Sequence, residues 1–482
     1  MNYFLVINLI GKVLVILSVF MMLPLLVSLL YKGTDTTSFF VSVIITFLTG
    51  IILHLTNKKQ EQEELRHREG FAIVTLSWLA ISFFGAIPYL LSGTFSTLTD
   101  AFFESISGFT TTGASVLTDI EVLPKGVLFW RSLTQWIGGM GIIVFSLAIL
   151  PFLGTGGMQL FKAEVPEITV DKLRPRIIDT AKALWIIYTV LTLTALVFLL
   201  LGGMTFFDAC CHAFTTLATG GFSTKNASIG HYNSPYIDTV VTIFMILAGI
   251  NYSLYYLTLQ RRYMRFISNC EFQFYIFTVA ISISMITLTL YSFGNFTFAQ
   301  SLDDAAFQVA SIITTTGFAT ANYENWPFFA QAILLVLMLF GGMIGSTAGG
   351  MKQVRILLML KQGLREIYQQ IHPRAIITIK LDNKNVSSEV RGSIWGFLFL
   401  FVAVCILATL VMTALGLDLI TSATTVISAI SNVGPALGDA GPAENYSRIP
   451  TLGKWVLSLC MLIGRLEVYT VIILFMPHFW KS

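Results

Sequence analysis

Charged residues are scarce in this chain. Asp, Glu, Lys and Arg make up 11% of its 482 residues, against about a quarter in soluble domains, whereas hydrophobic residues make up 55%. This balance excludes a soluble globular protein. The formal net charge is only +3, so a nucleic-acid partner is not indicated either.

Motifs that bind metals or nucleotides are also missing. The five cysteines (Cys210, Cys211, Cys270, Cys405 and Cys460) show no C-x-x-C spacing and mostly lie in apolar stretches, which favours buried thiols over disulfides or metal ligands. The stretch GSTAGGMK (345–352) is rich in glycine but does not match the phosphate-binding pattern GxxxxGK[ST]. We therefore expect no nucleotide site in this chain.

What the chain has in abundance is long apolar runs, ten of which come near the 20 residues that cross a bilayer. They cover roughly residues 3–31, 37–56, 71–92, 128–151, 180–203, 236–259, 272–293, 328–350, 392–416 and 452–476. The first lacks a small-residue cleavage pattern and is expected to be retained as a span. Lys and Arg concentrate in alternate connections, which predicts that both termini lie in the cytoplasm.

One unit occurs four times: an apolar helix, a short amphipathic stretch, a Thr/Gly loop and a second apolar helix. The loops are TTTGAS (110–115), ATGGFST (218–224), TTTGFAT (314–320) and SNVGPAL (431–437). The charge bias places all four loops on the outer side. Small residues that pack helices together would explain any one loop, but four loops in the same order indicate a common function.

The spacing within three of these units predicts a helix that crosses only half of the membrane. An Asp stands thirteen residues before a loop glycine, as in Asp100 and Gly113, Asp208 and Gly221, and Asp304 and Gly317. From an Asp N-cap, eleven or twelve helical residues reach roughly half of a ~30 Å hydrocarbon core. Four such half-helices around one axis would form a pore, with their partly negative C-terminal ends favouring a cation.

An ion filter needs backbone carbonyls turned inward, and glycine adopts the required positive-φ conformations without steric cost. Threonine hydroxyls add oxygen ligands. Because no ring of carboxylates accompanies them, the loops favour a monovalent ion over Ca²⁺ or Mg²⁺.

Over its whole length the chain resembles the Trk/Ktr/HKT superfamily of potassium transporters, and within it the bacterial TrkH-type membrane subunits. The resemblance rests on the four loops and on GMQLFKAEVP (157–166), RPRIIDTAK (174–182) and GSTAGGMK (345–352). It implies an all-α polytopic membrane protein with four pseudo-repeats of helix, pore half-helix, filter loop and helix around a central pore. The implied units are an N-terminal helix pair (1–69) and repeats 1 (70–155), 2 (156–268), 3 (269–370) and 4 (371–482).

The resemblance also implies which residues hold K⁺, the transported ion; no organic cofactor is expected. They are Thr111, Thr112, Gly113, Thr219, Gly220, Gly221, Thr315, Thr316, Gly317, Asn432, Val433 and Gly434. The adjacent glycines of loop two leave its register open, although the Asp spacing and Phe222 favour Gly221. Loop four has Asn432-Val433-Gly434-Pro435 in place of the Thr run and is expected to coordinate differently.

Below the filter, the stretch GGMIGSTAGG (341–350) has five glycines in ten residues and cannot form a stable helix interior. Irregular backbone at membrane depth must be buried in protein or line a cavity; tight helix packing is the alternative reading. The resemblance implies a gate made by Gly345, Ser346, Thr347, Ala348, Gly349 and Gly350. Arg465, midway along the last span, marks an ion pathway. We expect it to pair with carbonyls of this stretch rather than with Glu467.

The resemblance therefore implies potassium uptake across the inner (cytoplasmic) membrane of a bacterium, with no enzymatic activity. The resemblance implies a homodimer in the lipid bilayer and a cytosolic, TrkA-type nucleotide-binding regulatory subunit. Two alternatives are a passive K⁺/Na⁺ channel without an obligatory partner and an ion-coupled K⁺ symporter. A membrane enzyme or solute carrier would need intramembrane Asp, Glu or His, which the spans nearly lack.

Two further expectations concern residues outside the loops. The polar segment 371–391 predicts a short hairpin with a turn at Asp382-Asn383, and its cations Arg374, Lys380 and Lys384 could meet headgroups or an acidic protein. Glu104 and His212, in the first two half-helices, could support the filters from behind, but satisfied structural roles are favoured for both.

Overall fold

The described part of the molecule is mostly helical. The computed structural model describes residues 1–56, 67–148, 173–259, 263–294, 296–375, 377–382 and 384–480, and the stretch GMQLFKAEVP lies outside them. The helices are α1 (Tyr3–Leu30), α2 (Thr36–Thr56), α3 (His67–Leu91), α4 (Leu98–Phe109), α5 (Lys125–Ala148), α6 (Leu173–Leu201), α7 (Phe206–Leu217), α8 (Pro235–Ala248), α9 (Tyr252–Leu259), α10 (Tyr263–Ile267), α11 (Cys270–Ser292), α12 (Phe298–Ile313), α13 (Phe328–Leu339), α14 (Gln353–Ile371), α15 (Ser388–Ala414), α16 (Leu419–Ser431), α17 (Thr451–Arg465), α18 (Val468–Ile472) and α19 (Pro477–Trp480). Among the described residues, six unbroken helices are long and apolar enough to cross a bilayer.

The four half-helices are α4, α7, α12 and α16, with lengths of 12, 12, 16 and 13 residues. Each packs between the outer and the inner helix of its own repeat and also contacts the inner helix of the preceding repeat. These neighbours from the preceding repeat are α17 for α4, α5 for α7, α8 for α12 and α13 for α16. The repeats therefore close into a ring around one axis, while α1 and α2 pack outside it against α3 and α5.

The prediction that Asp caps the first three half-helices is wrong. Thr97 and Thr205 are the N-caps of α4 and α7, and Asp100 and Asp208 stand three residues later. Each Thr hydroxyl accepts the Asp backbone N–H and donates to the Asp carboxylate, so the two residues cap the helix together. In α12 the cap is Thr297 with Gln300, and Asp304 lies in the second turn. Only α16 begins at an Asp, Asp418.

Two spans that were expected to be continuous are broken. Within the predicted span 236–259, α8 and α9 meet at a bend of 92°. Within 452–476, α17 ends at Arg465 and Glu467 has a φ of 63°. Both breaks lie beside the irregular segment 340–352. Backbone groups of this segment form hydrogen bonds with backbone groups that the first break leaves unpaired. Within a membrane such groups must be paired inside the protein.

The short hairpin predicted in 371–391 is confirmed. Strand β1 (Lys380–Leu381) pairs antiparallel with β2 (Lys384–Asn385), and Asp382 has the positive φ of a turn residue. The Asp382 carboxylate accepts hydrogen bonds from Cys270 N at 2.8 Å and Asn269 Nδ2 at 2.9 Å. The hairpin is thus fastened to the start of α11.

Candidate functional site

The four Thr/Gly loops share one backbone conformation. Three consecutive residues are equivalent in the four loops and are numbered here as positions one to three: Thr111-Thr112-Gly113, Thr219-Gly220-Gly221, Thr315-Thr316-Gly317 and Asn432-Val433-Gly434. The first position is left-handed, with φ of 52° at Thr111, 54° at Thr219, 55° at Thr315 and 55° at Asn432. Two residues later, at the third position, φ is 80° at Gly113, 78° at Gly221, 81° at Gly317 and 102° at Gly434. The equivalent of Gly113 in loop two is therefore Gly221. Gly220 occupies the second position, together with Thr112, Thr316 and Val433.

The loops meet in a closed ring. A Cβ atom added to the glycine at the third position of any loop would collide with the second-position carbonyl oxygen of the next loop. The pairs are Gly113 with Gly220, Gly221 with Thr316, Gly317 with Val433, and Gly434 with Thr112. All four glycines also line one cavity of about 100 Å³, the upper cavity, which Arg131, Lys225 and Glu444 border as well. The structure thus brings together all four predicted loops.

Three of these second-position carbonyls have no hydrogen-bond donor among the residues that the structure describes. In the described part of the chain, the carbonyl oxygens of Thr112, Thr316 and Val433 accept no hydrogen bond, although all three residues are buried. Buried carbonyls normally find a donor or a ligand. Such carbonyls in a ring are the ligands that a dehydrated monovalent cation needs.

Threonine hydroxyls support the loops from behind. The Thr112 hydroxyl bonds the Thr110 hydroxyl at 2.8 Å, and the Thr316 and Thr314 hydroxyls are likewise 2.8 Å apart. Asn432 Nδ2 donates to Thr112 Oγ1 at 2.9 Å and so joins loop four to loop one. These contacts maintain the shape of the ring. Asn432, which stands in loop four where the other loops have Thr, adds a hydrogen bond between loops four and one.

Loop two has glycine at the second position because another side chain fills the space. A Cβ on Gly220 would collide with the side-chain amide of Gln135. Gln135 Nε2 donates to Gly220 O at 2.6 Å, and its Oε1 accepts from Phe222 N at 3.1 Å. The sequence analysis missed Gln135, and nothing in the local pattern around it indicates this contact.

The gate segment predicted at 345–350 lies directly below the ring. The Thr347 hydroxyl donates to Leu217 O, at the end of the half-helix α7, at 3.0 Å. Gly349 N donates to the Thr315 hydroxyl, in loop three, at 2.6 Å. All residues of the gate segment except Thr347 line a lower cavity of about 40 Å³, which Lys352, Arg355, Arg465 and Glu467 line as well.

Arg465 makes the contact that the sequence favoured. The buried guanidinium donates to Thr347 O at 2.7 Å and to Gly138 O in α5 at 3.2 Å. Glu467 pairs instead with Arg355 in α14, at 2.6 Å. Arg355 lies 112 residues away in the chain, so sequence reasoning had no signal for this pair.

Residues outside the gate segment hold both of its ends. Glu271 Oε1, on α11, accepts from Ile344 N at 2.8 Å and from Val354 N at 3.0 Å. Lys352 Nζ donates back to Ala348 O at 2.5 Å. At the bend between α8 and α9, Gly249 O accepts from Met343 N at 2.9 Å and Tyr252 N donates to Gly345 O at 3.1 Å. The bend and the gate segment therefore satisfy each other's backbone.

Glu104 and His212 have the structural contacts that were expected of them. His212 bonds Asp208 O at 2.8 Å and Ser223 Oγ at 3.0 Å through its two ring nitrogens. Glu104 forms an ion pair with Arg131 at 2.8 Å. The described residues contain no group of three or more His, Cys, Asp or Glu side chains that could hold a metal.

The chain is similar to known proteins over nearly its whole length. The family model for TrkH, described as a cation transport protein, matches residues 36–482. The Trk system potassium uptake proteins TrkH of Halomonas elongata and of Escherichia coli K12 are each 41% identical to the chain over all of both sequences. The crystal structure of the potassium transporter TrkH from Vibrio parahaemolyticus superposes with a TM-score of 0.92, at 37% identity and with full coverage of both chains.

Proposed function

This chain belongs to the TrkH family of cation transport proteins, and from that premise we propose that it takes up K⁺ through the ring of four loops. It is an all-α polytopic membrane protein and not an enzyme. The observation that carries the proposal is the closed ring, in which each loop glycine lies against a carbonyl of the next loop. Potassium is the ion named for its relatives in Halomonas and Escherichia. The proposed setting is the inner membrane of a bacterium.

In this proposal the ring replaces the hydration shell of K⁺ with backbone carbonyls. The third-position glycines let the four loops approach closely, and the C-terminal ends of α4, α7, α12 and α16 add partial negative charge. Because each loop has one such glycine, the filter is short and holds few ions. Membrane potential supplies the driving force, worth about 2.3 kcal/mol per elementary charge at 100 mV.

The gate in this proposal is residues 345–350 with Arg465. They fill the path below the ring, and the lower cavity carries three cationic side chains (Lys352, Arg355 and Arg465) against one carboxylate, Glu467. That imbalance disfavours a cation below the filter. Opening requires the segment to leave Thr315, Leu217 and Arg465.

A cytosolic, nucleotide-binding TrkA-type partner is proposed to open this gate, in a homodimer of the chain. The segment leads directly into α14, whose Lys361 Nζ donates to Lys380 O of the hairpin at 2.9 Å. A partner that moves α14 would therefore pull on the gate. The names of the relatives place them in a Trk system, which supports a regulatory component.

Reconstitution tests this function. The purified chain in proteoliposomes should take up ⁸⁶Rb⁺, and K⁺ should compete far better than Na⁺. ATP or ADP should change uptake only after the partner is added. Absence of uptake, or equal competition by Na⁺, would contradict K⁺ uptake, while a saturable nucleotide effect on the chain alone would contradict sensing by a partner. Flux that nucleotide leaves unchanged even after the partner is added would favour the passive channel.

Thr347→Val should raise Rb⁺ uptake by the chain alone about fivefold, because the substitution removes one hydroxyl proton, whose hydrogen bonding is worth about 1 kcal/mol to the closed gate. The Thr347 hydroxyl donates to Leu217 O and Ala248 O, in two helices outside the gate. The matched control is Thr278→Val, whose hydroxyl bonds Phe274 O in its own helix. Equal effects of the two changes would argue against the contact as a closing element.

A further inference from the structure

A buried ion pair stands behind the ring, outside the residues assigned to filter or gate. Arg131, on α5, bonds Glu104, on α4, with side-chain exposures of 1% and 0%. Burying two charges is an inefficient way to stabilise a fold, since apolar packing of similar volume does as well. The other contacts of the pair indicate a more specific role.

Those contacts go to the exits of two neighbouring loops. Glu104 accepts from Ser115 Oγ at 2.9 Å and from Val116 N at 3.1 Å, just after Gly113. Arg131 Nη1 donates to Ser223 O at 3.1 Å, just after Gly221, and Nη2 donates to Ser115 Oγ at 3.3 Å. Ser115 and Ser223 each stand two residues after the loop glycine, so the pair joins equivalent points of loops one and two.

Arg131 also has an electrostatic position. Its guanidinium lies 4.2 Å from the centre of the Phe222 ring, and the residue borders the upper cavity with all four loop glycines. Without Glu104, an uncompensated positive charge would stand beside the path of a cation. By contrast, the boundary between loops two and three is crossed by a backbone contact, Gly230 N to Ala319 O at 3.1 Å.

We propose that Glu104 and Arg131 are positioning residues that fix the distance between loops one and two and thereby set the preference for K⁺ over Na⁺. The inference rests on the proposed function. Fixed spacing keeps the Gly220 and Thr112 carbonyls at the distance suited to K⁺, and loss of the tie lets the ring close around the smaller Na⁺. Glu104 also cancels the charge of Arg131 beside the ion path.

The test compares conservative variants with a matched ion pair. Arg131→Lys keeps the charge but loses the forked contacts, and Glu104→Gln keeps the shape but loses the charge. In each, the ratio of Na⁺ to K⁺ concentrations that halve Rb⁺ uptake should fall at least about fivefold. The control is Lys454→Met, which breaks the 2.6 Å pair with Asp100 at the start of α4; Lys454 Nζ bonds Asp100 and Ser447 O, whereas the Glu104–Arg131 pair bonds Ser115, Val116 and Ser223. It should lower thermal stability and leave that ratio unchanged.

The outcomes distinguish failure of this proposal from failure of the proposed K⁺ uptake on which it rests. If the unaltered chain takes up no Rb⁺, the proposed function fails. If the unaltered chain is selective for K⁺, and the folded Arg131→Lys and Glu104→Gln variants are equally selective but melt at a lower temperature, as is expected of Lys454→Met, the positioning role is overturned. Should neither variant fold, Ser115→Ala removes only the hydroxyl shared by the pair, and an unchanged ratio there would also overturn it.

Discussion

Serine in place of Gly113 or Gly317 is expected to lower Rb⁺ uptake more than tenfold and to remove the preference for K⁺ over Na⁺. The left-handed conformation costs a residue with a side chain about 1–2 kcal/mol. The added Cβ of Gly317→Ser would also collide with the Val433 carbonyl oxygen, and that of Gly113→Ser with the Gly220 oxygen. Because about 1.4 kcal/mol corresponds to a factor of ten, strain and displacement together exceed that factor.

Gly203→Ser is the matched control. Gly203 also has a positive φ, of 89°, but nothing lies within 4 Å of a Cβ added there. It should impose similar backbone strain and leave the competition between Na⁺ and K⁺ unchanged. If Gly113→Ser and Gly317→Ser both left Rb⁺ uptake and its inhibition by Na⁺ unaltered in folded protein, the pore assignment would be wrong.

Arg465→Met should raise Rb⁺ uptake by the chain alone by more than tenfold. The change keeps the length of the side chain and removes both its charge and its bond to Thr347 O. A unit charge some 8 Å from a K⁺ ion opposes it by about 2 kcal/mol at an effective dielectric constant near 20. Arg465→Lys retains the charge and should raise uptake much less.

Shortening the 345–350 segment should also raise uptake, and combining it with Arg465→Met should give less than the product of the two effects. Residues in contact couple, whereas distant residues act independently. Fully multiplicative effects, or loss of uptake in well-folded protein, would remove Arg465 and the segment from one common barrier.

Local patterns predicted the parts of the fold that depend on local chemistry. The half-helices, the positive φ of the loop glycines, the irregular backbone at 341–350 and the hairpin all follow from residues close together in sequence. The N-caps were not predicted correctly, because Asp and Thr both cap helices, and here the Thr three positions upstream of each Asp accepts the backbone N–H of that Asp. The bend between α8 and α9 was missed since its apolar run contains only one glycine, Gly249, and its cause is a partner more than 90 residues away.

The supports of the site were beyond sequence reasoning for the same reason. Gln135, Glu271 and Arg131 act on loops and segments far from them in the chain, and none belongs to a recognisable motif. The absence of Thr from the second position of loop two makes sense only when the Gln135 amide is seen to fill that space. A single sequence indicates which residues form the ring, whereas tertiary contacts determine which residues hold it in place.

The closure of the ring by one polypeptide has a genetic consequence. In an assembly of four identical subunits, every codon change alters all four quarters of the pore at once. Here a codon change alters only one quarter of the pore. The loops accordingly differ: Asn432 stands at the first position of loop four, where the other three loops have Thr, and Gly220 stands at the second position of loop two, where loops one and three have Thr. Single substitutions, natural or engineered, can therefore change the filter one loop at a time.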